Sequence, residues 1–268
     1  MDLLFYILAG AGVGFAVGMT GVGGGSLMTP LLILWGVPTK IAIGTDLLYA
    51  AATKTGAMYT HHRQGTIRWR LVLTLAAGSI PASFATSYFL KTALDGVDYA
   101  GLLNRSLGVM LILTAIVILF RRRIQGESQQ SDENVGKEKI SWYQRHPLRV
   151  SFFAGIILGV FVTLSSVGAG AFCAALLLIL YPRLPALHVV GTDIAHAVPL
   201  TLVAGLGHLW NDNVDFQLLA GLLIGSIPAV HYGSRLAARV PNSVLQPILA
   251  SILFIIGLKF GFFSDGGH

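Results

Sequence analysis

The sequence predicts an all-α, polytopic membrane protein made of two inverted repeats of about five helical segments each, with a glycine-broken helical hairpin opening each repeat. Three observations lead to this prediction. Hydrophobic residues make up 54% of the 268 residues and charged residues only 11%, which is far from the composition of a soluble globular domain. The apolar residues fall into runs that approach the length of a membrane span. Motifs of the first half recur in the second half at a constant spacing.

A helix needs about 20 residues to cross about 30 Å of hydrocarbon, and the apolar runs are compared with that length. The first half has runs at residues 3–19, 22–35, 41–60, 71–90 and 101–120. The second half has runs at residues 150–165, 167–181, 189–209, 216–235 and 243–262. The first two runs of each half are short, so each pair is predicted to form either two re-entrant half-helices or two tilted crossings.

The chain divides into two membrane repeats and a connecting segment. Residues 1–120 are predicted as the first repeat and residues 150–268 as the second. Residues 121–149 between them are charged and rich in Gln, Ser and Glu, a composition typical of a solvated linker.

Three matches at an offset of 147 residues define the repeat. They pair Ile43–Asp46 with Val190–Asp193, Gly78–Ala82 with Gly225–Ala229, and His61 with His208. Three matches at one spacing are not expected by chance, so the chain contains an internal duplication.

Loop charge predicts the orientation of the repeats. Most Lys and Arg residues lie in the loops or segments 61–70, 121–149, 182–188 and 235–242, whereas loops 91–100 and 211–215 are mostly acidic. Positive loops face the cytoplasm, so the linker is predicted to be cytoplasmic and both termini periplasmic. Loop 61–70 and its counterpart 208–217 differ in charge and fall on opposite sides, which indicates an inverted repeat.

Composition also argues against several other classes of protein. The formal charge of +6 is explained by cytoplasmic loops, so no nucleic-acid partner is predicted. The only cysteine, Cys173, is predicted to be a packed thiol. The start at Met1 has no basic region of a cleaved signal peptide. The chain has no H-E-x-x-H or G-x-S-x-G motif, so neither a metal, a cofactor nor an enzymatic activity is predicted.

The glycine clusters that interrupt the two hairpins are candidate substrate sites. Non-helical backbone at membrane depth is tolerated where it is buried in protein or lines a wet cavity, and the helix that follows each cluster offers free N–H groups to an anion. The substrate-binding candidates in these clusters are Gly23, Gly24, Gly25 and Ser26 in the first hairpin and Ser165, Ser166, Gly168, Ala169 and Gly170 in the second. The alternative is that these glycines only permit close helix packing.

Ionisable residues in the third segment of each half are a second set of candidates, because a charge inside a membrane span is costly and usually faces a cavity or a partner. Asp46, Asp193 and His196 are predicted to bind or relay protons. Lys54 is predicted to bind an anion or to pair with Asp46. The alternatives are helix N-capping for the two aspartates near the interface and packing for the histidine.

Three other sets of residues have simpler assignments. Thr45 and Thr192, which precede the two aspartates, are included among the substrate-binding candidates. His61, His62 and His208 lie at segment ends, where exposure at the membrane interface is expected. Pro81 and Pro228 follow Gly-Ser-Ile in both halves, where they either act as hinges or shape the bundle.

Several of these motifs resemble the sulfite exporter TauE/SafE family, also called the toluene sulfonate uptake permease family. They are the Val-Gly-Gly-Gly cluster followed by Pro30, the segments 43–54, 62–65 and 190–200, and the Gly-Ser-Ile-Pro-Ala repeat. The resemblance covers nearly the whole chain apart from residues 121–149. It implies a secondary transporter of small sulfur-containing or carboxylate anions in the bacterial inner membrane.

The chain also departs from the pattern of this family. Many members have Ser at the positions of Asp46 and Asp193, which favours a proton-coupling role for the two carboxyl groups. The second hairpin has Ala169 in place of a glycine and no counterpart of Pro30, so the two half-sites are predicted to be unequal and the first to dominate substrate binding.

The mechanism predicted from these observations is alternating access, with an anion held between two helix N-termini and one repeat rocking against the other. The expected partners are a small anionic substrate, protons and the lipid bilayer, and self-association into a homo-oligomer is left open. Two alternatives remain. One is a proton- or cation-driven exchanger that uses the Asp46 and Asp193 pair, and the other is a membrane scaffold subunit.

Overall fold

The computed structural model describes residues 3–20, 25–94, 96–130, 146–237 and 242–262, in which the secondary structure is entirely helices and connecting turns. The helices are α1 (Leu3–Thr20), α2 (Gly25–Leu34), α3 (Thr39–Arg63), α4 (Trp69–Thr92), α5 (Ala100–Gln130), α6 (Pro147–Ser165), α7 (Ala171–Leu180), α8 (Ala186–Trp210), α9 (Phe216–Ala237) and α10 (Asn242–Phe262). Within these ranges five helical stretches are long and apolar enough to cross a membrane, in α4, α5, α6, α8 and α9. The prediction of an all-α, polytopic membrane protein is confirmed.

The second and third helices of the two halves agree in length more closely than the corresponding predicted apolar runs do. Helices α3 and α8 have 25 residues each, and both begin directly after a proline, Pro38 and Pro185. The short helices α2 and α7 have 10 residues each. Helix α5 continues past its predicted end at residue 120 to Gln130 and so occupies the start of the predicted linker.

The two halves exchange helices instead of packing side by side. The most extensive contacts join α1 to α9 and α4 to α6, so the first helix of each half packs against the fourth helix of the other half. Helix α3 packs against its counterpart α8, and α5 against its counterpart α10. Reciprocal contacts of this kind are those of two halves related by a two-fold axis.

Glycines without room for a side chain lie where the exchanged helices cross. A Cβ atom on Gly10 or Gly14 in α1 would overlap α9 at Leu222 or Ser226. The equivalent contacts of α6 with α4 place Gly155 against Leu75 and Gly159 against Ser79. Small residues let membrane helices approach closely and gain van der Waals contact. Many of the glycines in this chain therefore serve packing.

Each hairpin enters and leaves the bundle at one end. At the start of α1 and the end of α2, the rings of Phe5 and Trp35 have centroids 5.6 Å apart. At the start of α6 and the end of α7, Ser151 Oγ and Tyr181 OH lie 2.9 Å apart. Short turns then connect α2 to α3 and α7 to α8, so each hairpin opens at the end where the next helix begins.

The turns after α3 and α8 lie at opposite ends of the bundle. Asn213, in the turn after α8, packs against Gly44 near the start of α3, and Thr66, in the turn after α3, packs against Gly191 near the start of α8. We call the end that carries the start of α3 the upper end and the end that carries the start of α8 the lower end. Turns 93–99 and 211–215 are at the upper end, and turns 64–68 and 181–185 are at the lower end. Which end faces the cytoplasm stays a prediction.

The crossing of α1 and α9 gives a testable consequence for stability. In Gly225→Ala, the added methyl group would overlap the backbone carbonyl of Ile7, and backbone cannot move aside as a flexible side chain can. Overpacking of this kind costs about 1–3 kcal/mol, and we expect the apparent unfolding temperature of purified protein to fall by about 2 °C or more. Gly101→Ala is the matched control, because a Cβ there meets nothing within 4 Å. Equal unfolding temperatures for the two variants would contradict the crossing.

Candidate functional site

The second glycine turn, residues 165–170, reverses the chain inside the bundle between α6 and α7. Ser166 ends α6 in the left-handed conformation, with φ of 59°, and its N–H donates to Val162 O over 2.8 Å. Gly168 has φ of 117°, which disfavours any residue with a side chain. Ser165 Oγ donates to Phe161 O over 2.6 Å and accepts the N–H of Val167 over 3.2 Å. The Ser165 hydroxyl therefore holds the turn together.

Asp46 of α3 connects this turn to the first hairpin. Its side chain is fully buried, and its Oδ2 atom accepts two hydrogen bonds, from Thr29 Oγ1 at 2.5 Å and from Ser166 Oγ at 2.9 Å. Its Oδ1 atom is buried and has no hydrogen-bond partner among the described residues. A buried carboxyl oxygen without a donor is costly, and this makes Asp46 a candidate for binding a proton or a cation.

The alternative explanation of Asp46 and Asp193 as helix N-caps is wrong. Helix α3 begins at Thr39 and α8 at Ala186, and the cap positions are Pro38 and Pro185. Both aspartates thus lie two turns inside their helices. The apolar runs misplaced these starts because the first turns of both helices contain polar residues.

Lys54 lies deeper along α3 and reaches across to the second repeat. Its ammonium group donates a hydrogen bond to the backbone carbonyl of Ala169, in the second glycine turn. The carboxylates that interact with it electrostatically are Asp193 and, more weakly, Asp46. The Lys54 ammonium group thus contacts one glycine turn and interacts electrostatically with both buried carboxyl groups.

His196 of α8 is fully buried and links three helices. Its Nε2 atom lies 2.9 Å from Ser79 Oγ of α4, and its Nδ1 atom lies 3.8 Å from Cys173 Sγ of α7. Cys173 in turn interacts with Asp193. The predicted pairing of Asp193 with His196 across one turn of α8 therefore has the thiol of Cys173 as an intermediate contact.

Thr45 and Thr192 make equivalent contacts in the two repeats. Thr45 Oγ1 accepts the backbone N–H of Asp215, at the start of α9, and Thr192 Oγ1 accepts the N–H of Arg68, at the start of α4, each at 3.1 Å. Free N–H groups at a helix start need acceptors. Each threonine thus supplies one to the other repeat, and its substrate contact stays a prediction.

The remaining glycine-turn candidates are Gly23, Gly24, Gly25, Ser26 and Gly170, and the structure describes only the last three. Gly23 and Gly24 lie outside the described residues, so the predicted dominance of the first hairpin stays untested. Gly25 and Ser26 form the start of α2, with Ser26 buried. In the second turn, a Cβ atom on Gly170 would meet nothing within 4 Å. Gly170 therefore has open space in front of its backbone, directly before the first turn of α7.

The expectation that His208 is exposed at the membrane interface is wrong. The side chain is 1% exposed, and its Nε2 atom donates to Thr163 O of α6 over 2.8 Å. Its counterpart His61 is less buried and has Nδ1 2.8 Å from Thr66 Oγ1. Position at a segment end did not reveal burial, because the burial comes from the exchanged helix α6.

Sequence reasoning missed three residues of the site. Thr29 contacts Asp46, and Ser79 contacts His196. Cys173 interacts with both His196 and Asp193. Ser79 belongs to the repeated Gly-Ser-Ile-Pro-Ala motif, which was a signal for it. Among the described residues, no three His, Cys, Asp or Glu side chains are grouped as ligands for a metal ion.

A broken helical hairpin that meets charged residues inside a multi-pass bundle is typical of membrane transporters. A sequence model of the family described as "Sulfite exporter TauE/SafE" matches residues 6–260. The chain belongs to this family, and it is a membrane transporter.

Proteins similar over nearly their whole length have matching descriptions. "Probable membrane transporter protein YjnA" of Bacillus subtilis is 39% identical, over 94% of this chain and 97% of that protein. "Probable membrane transporter protein YdhB" of the same organism is 30% identical, over 92% of this chain and 95% of that protein. A relative from Methanocaldococcus jannaschii, also described as a probable membrane transporter protein, is 24% identical over 92% of both chains. No solved structure matches this chain.

Proposed function

We propose that the protein is a secondary active transporter of small sulfur-containing anions of the sulfite and sulfonate type, coupled to protons, in the bacterial inner membrane. The observation that carries this proposal is the position of Lys54, whose ammonium group contacts the second glycine turn and interacts electrostatically with two buried carboxyl groups. The description of the family supports sulfite as the first anion to test.

The anion is proposed to bind in front of Gly170, at the N-terminus of α7. In a helix the first N–H groups have no acceptor within the helix. Those of Cys173 and Ala174 are bonded to Gly168 O and Gly170 O, which leaves the N–H groups of Ala171 and Phe172 to face the substrate. The positive end of the α7 dipole and the Lys54 ammonium group add favourable electrostatics for an anion.

The proton is proposed to bind at Asp46, on the carboxyl oxygen that lacks a partner. Protonation would neutralise one of the two carboxylates that share Lys54, and so would leave more of the ammonium charge available to the anion. Binding of the proton and of the anion would then favour each other, as coupling requires.

Alternating access needs moving units, and the helix contacts suggest which ones. Because α1 packs mainly on α9 and α4 mainly on α6, the units are proposed to be these mixed pairs. This replaces the expectation that one repeat rocks as a body against the other.

The experiment that tests the proposal measures uptake of radiolabelled sulfite by proteoliposomes under an imposed pH gradient, an imposed sodium gradient or neither. Accumulation driven by the pH gradient supports the proposal. Accumulation driven only by sodium, or ion exchange without sulfite flux, would favour the alternative exchanger that uses Asp46 and Asp193.

Gly170→Ala tests the position of the anion. The residue has an extended φ of 169°, and a methyl group there enters open space, so we expect the variant to fold normally. The methyl group would hold the anion away from the backbone and weaken a charge-assisted hydrogen bond worth about 1.5–3 kcal/mol, which lowers sulfite flux by about tenfold or more. Gly101→Ala is again the control. Full flux in Gly170→Ala would move the anion away from this turn.

A further inference from the structure

A polar cavity lies at the upper end of the bundle, apart from the glycine turn. It has a volume of about 490 Å³ and is lined by the first turn of α3, the end of α4, the turn before α5 and the turn after α8. Its charged lining groups are Lys40, Lys91, Asp98 and Asp212. Both halves of the chain contribute to this cavity, as they do to the buried site.

The two lysines of the cavity are held differently. Lys40 Nζ lies 3.3 Å from Asp98 Oδ1 and 4.0 Å from the centre of the Tyr99 ring. Lys91 Nζ donates to the backbone carbonyl of Trp210 over 2.9 Å. The Asp98 side chain is 76% exposed, so its pairing with Lys40 takes place in water, where such a pair is weak.

Asp98 is charged at neutral pH and competes with anions for Lys40. Its Oδ1 atom accepts the N–H of Ala100 over 3.1 Å, and this bond together with Lys40 holds the pKa of Asp98 below its usual value. An anion that enters the cavity can replace the carboxylate at Lys40, because Asp98 keeps its bond to Ala100 and its contact with water.

The duplication shows that these charges are not required by the fold. At the offset that relates the repeats, the lower end has Leu187 in place of Lys40, Gly65 in place of Asp212 and Thr66 in place of Asn213. Gly65 and Asp212 have the same left-handed conformation, with φ of 67° and 57°. The turns are alike, but Lys40 and Asp212 of the upper end have no charged counterpart in Leu187 and Gly65.

The cavity also lies between the buried site and the upper end of the bundle. Lys40 precedes Asp46 by six residues on α3, which is about 9 Å along a helix. We propose that the cavity is a capture site for small sulfur oxyanions, in which Lys40 binds the anion before it moves inward and Asp98 competes with it. This inference rests on the proposed transport of such anions, and it adds a second binding site on their route.

Charged thiol reagents measure the electrostatics of the cavity without any need for transport. Val97, which lines the cavity, is replaced by cysteine, and the labelling rates of an anionic sulfonatoethyl and a cationic trimethylammonium-ethyl methanethiosulfonate are compared. The parent chain, whose Cys173 is buried, gives the background. Adding Lys40→Gln should lower the anionic-to-cationic rate ratio about tenfold, and adding Asp98→Asn should raise it by a similar factor. Asn keeps the capping bond to Ala100, so this variant changes charge and not fold.

Two controls make the result specific. Lys259→Gln removes one lysine charge from an exposed position at the end of α10, outside the cavity, and should leave the ratio unchanged. Millimolar methanesulfonate, a sulfur oxyanion that does not attack the thiosulfonate reagents as sulfite does, should slow the labelling of Val97→Cys, and this protection should be lost with Lys40→Gln. Equal ratios in all variants, or protection that persists without Lys40, would overturn the capture site.

The outcome is separable from that of the proposed function. Sulfite flux together with unchanged labelling ratios would remove the capture site and leave transport standing. Charge-dependent labelling and protection by methanesulfonate without sulfite flux would support the capture site and remove the proposed transport.

Discussion

Lys54→Ala should abolish sulfite flux in proteoliposomes, by about a hundredfold or more. The substitution removes the ammonium group that contacts Ala169 and interacts electrostatically with Asp193 and Asp46. Loss of one partner of a buried, charged hydrogen-bonded pair costs about 2–5 kcal/mol of binding free energy, and about 2.8 kcal/mol corresponds to a factor of a hundred. Initial uptake rates of radiolabelled sulfite, normalised to reconstituted protein, provide the measurement.

A structural role of Lys54 has to be distinguished from a transport role. Lys54→Ala combined with Asp193→Asn removes the excess negative charge, so it should recover thermal stability but not flux. Lys259→Ala is the control for loss of a lysine elsewhere. Flux that returns in the double variant would show that Lys54 only balances charge, and normal flux in Lys54→Ala would remove it from the site.

Asp46→Asn should uncouple sulfite transport from the pH gradient. Asn keeps an oxygen that can accept from Thr29 and Ser166, but it cannot bind a proton at neutral pH. A pH difference of two units can drive about hundredfold accumulation in a one-to-one symport, since each unit corresponds to about 1.4 kcal/mol. We expect this accumulation to disappear in Asp46→Asn, while exchange of sulfite down its own gradient continues.

The matched control changes another aspartate in the same way outside the buried site. Asp215 Oδ1 accepts the N–H of Leu218 over 2.9 Å at the start of α9, and Asn can keep this bond. Asp215→Asn should therefore accumulate sulfite as the parent does. Accumulation by Asp46→Asn at the parental level would exclude Asp46 as the proton site.

The sequence predicted features that depend on local pattern or on the duplication. The helices around Asp46 and Asp193 have the same length and start after equivalent prolines, as the offset of 147 residues implies. Among the described turns, 64–68 and 181–185, which are predicted to share one side of the membrane, lie at one end of the bundle. These features could be predicted because hydrophobic runs, loop charge and repeat spacing are properties of the chain itself.

Features that depend on contacts between the repeats could not be predicted. The capping of α9 by Thr45 joins residues 170 positions apart, and the contact of Lys54 with Ala169 joins residues 115 positions apart. His208 also packs against the first repeat, since a Cβ atom on Gly44 of α3 would lie 2.9 Å from the Cβ atom of His208. The hydrophobic periodicity of one segment does not indicate which distant residues it contacts, so the contacts of the site residues could be seen only in the structure.

The exchange of helices between the halves has a consequence for biogenesis. When residues 1–120 leave the ribosome, the glycine faces of α1 and α4 have no partner, because their partners α9 and α6 are still to be made. We therefore expect the first half to stay loosely packed in the membrane until the second half inserts. The two halves are complementary, so they would also be able to assemble from separate chains, and a single half could satisfy its exposed faces by pairing with an oppositely inserted copy of itself.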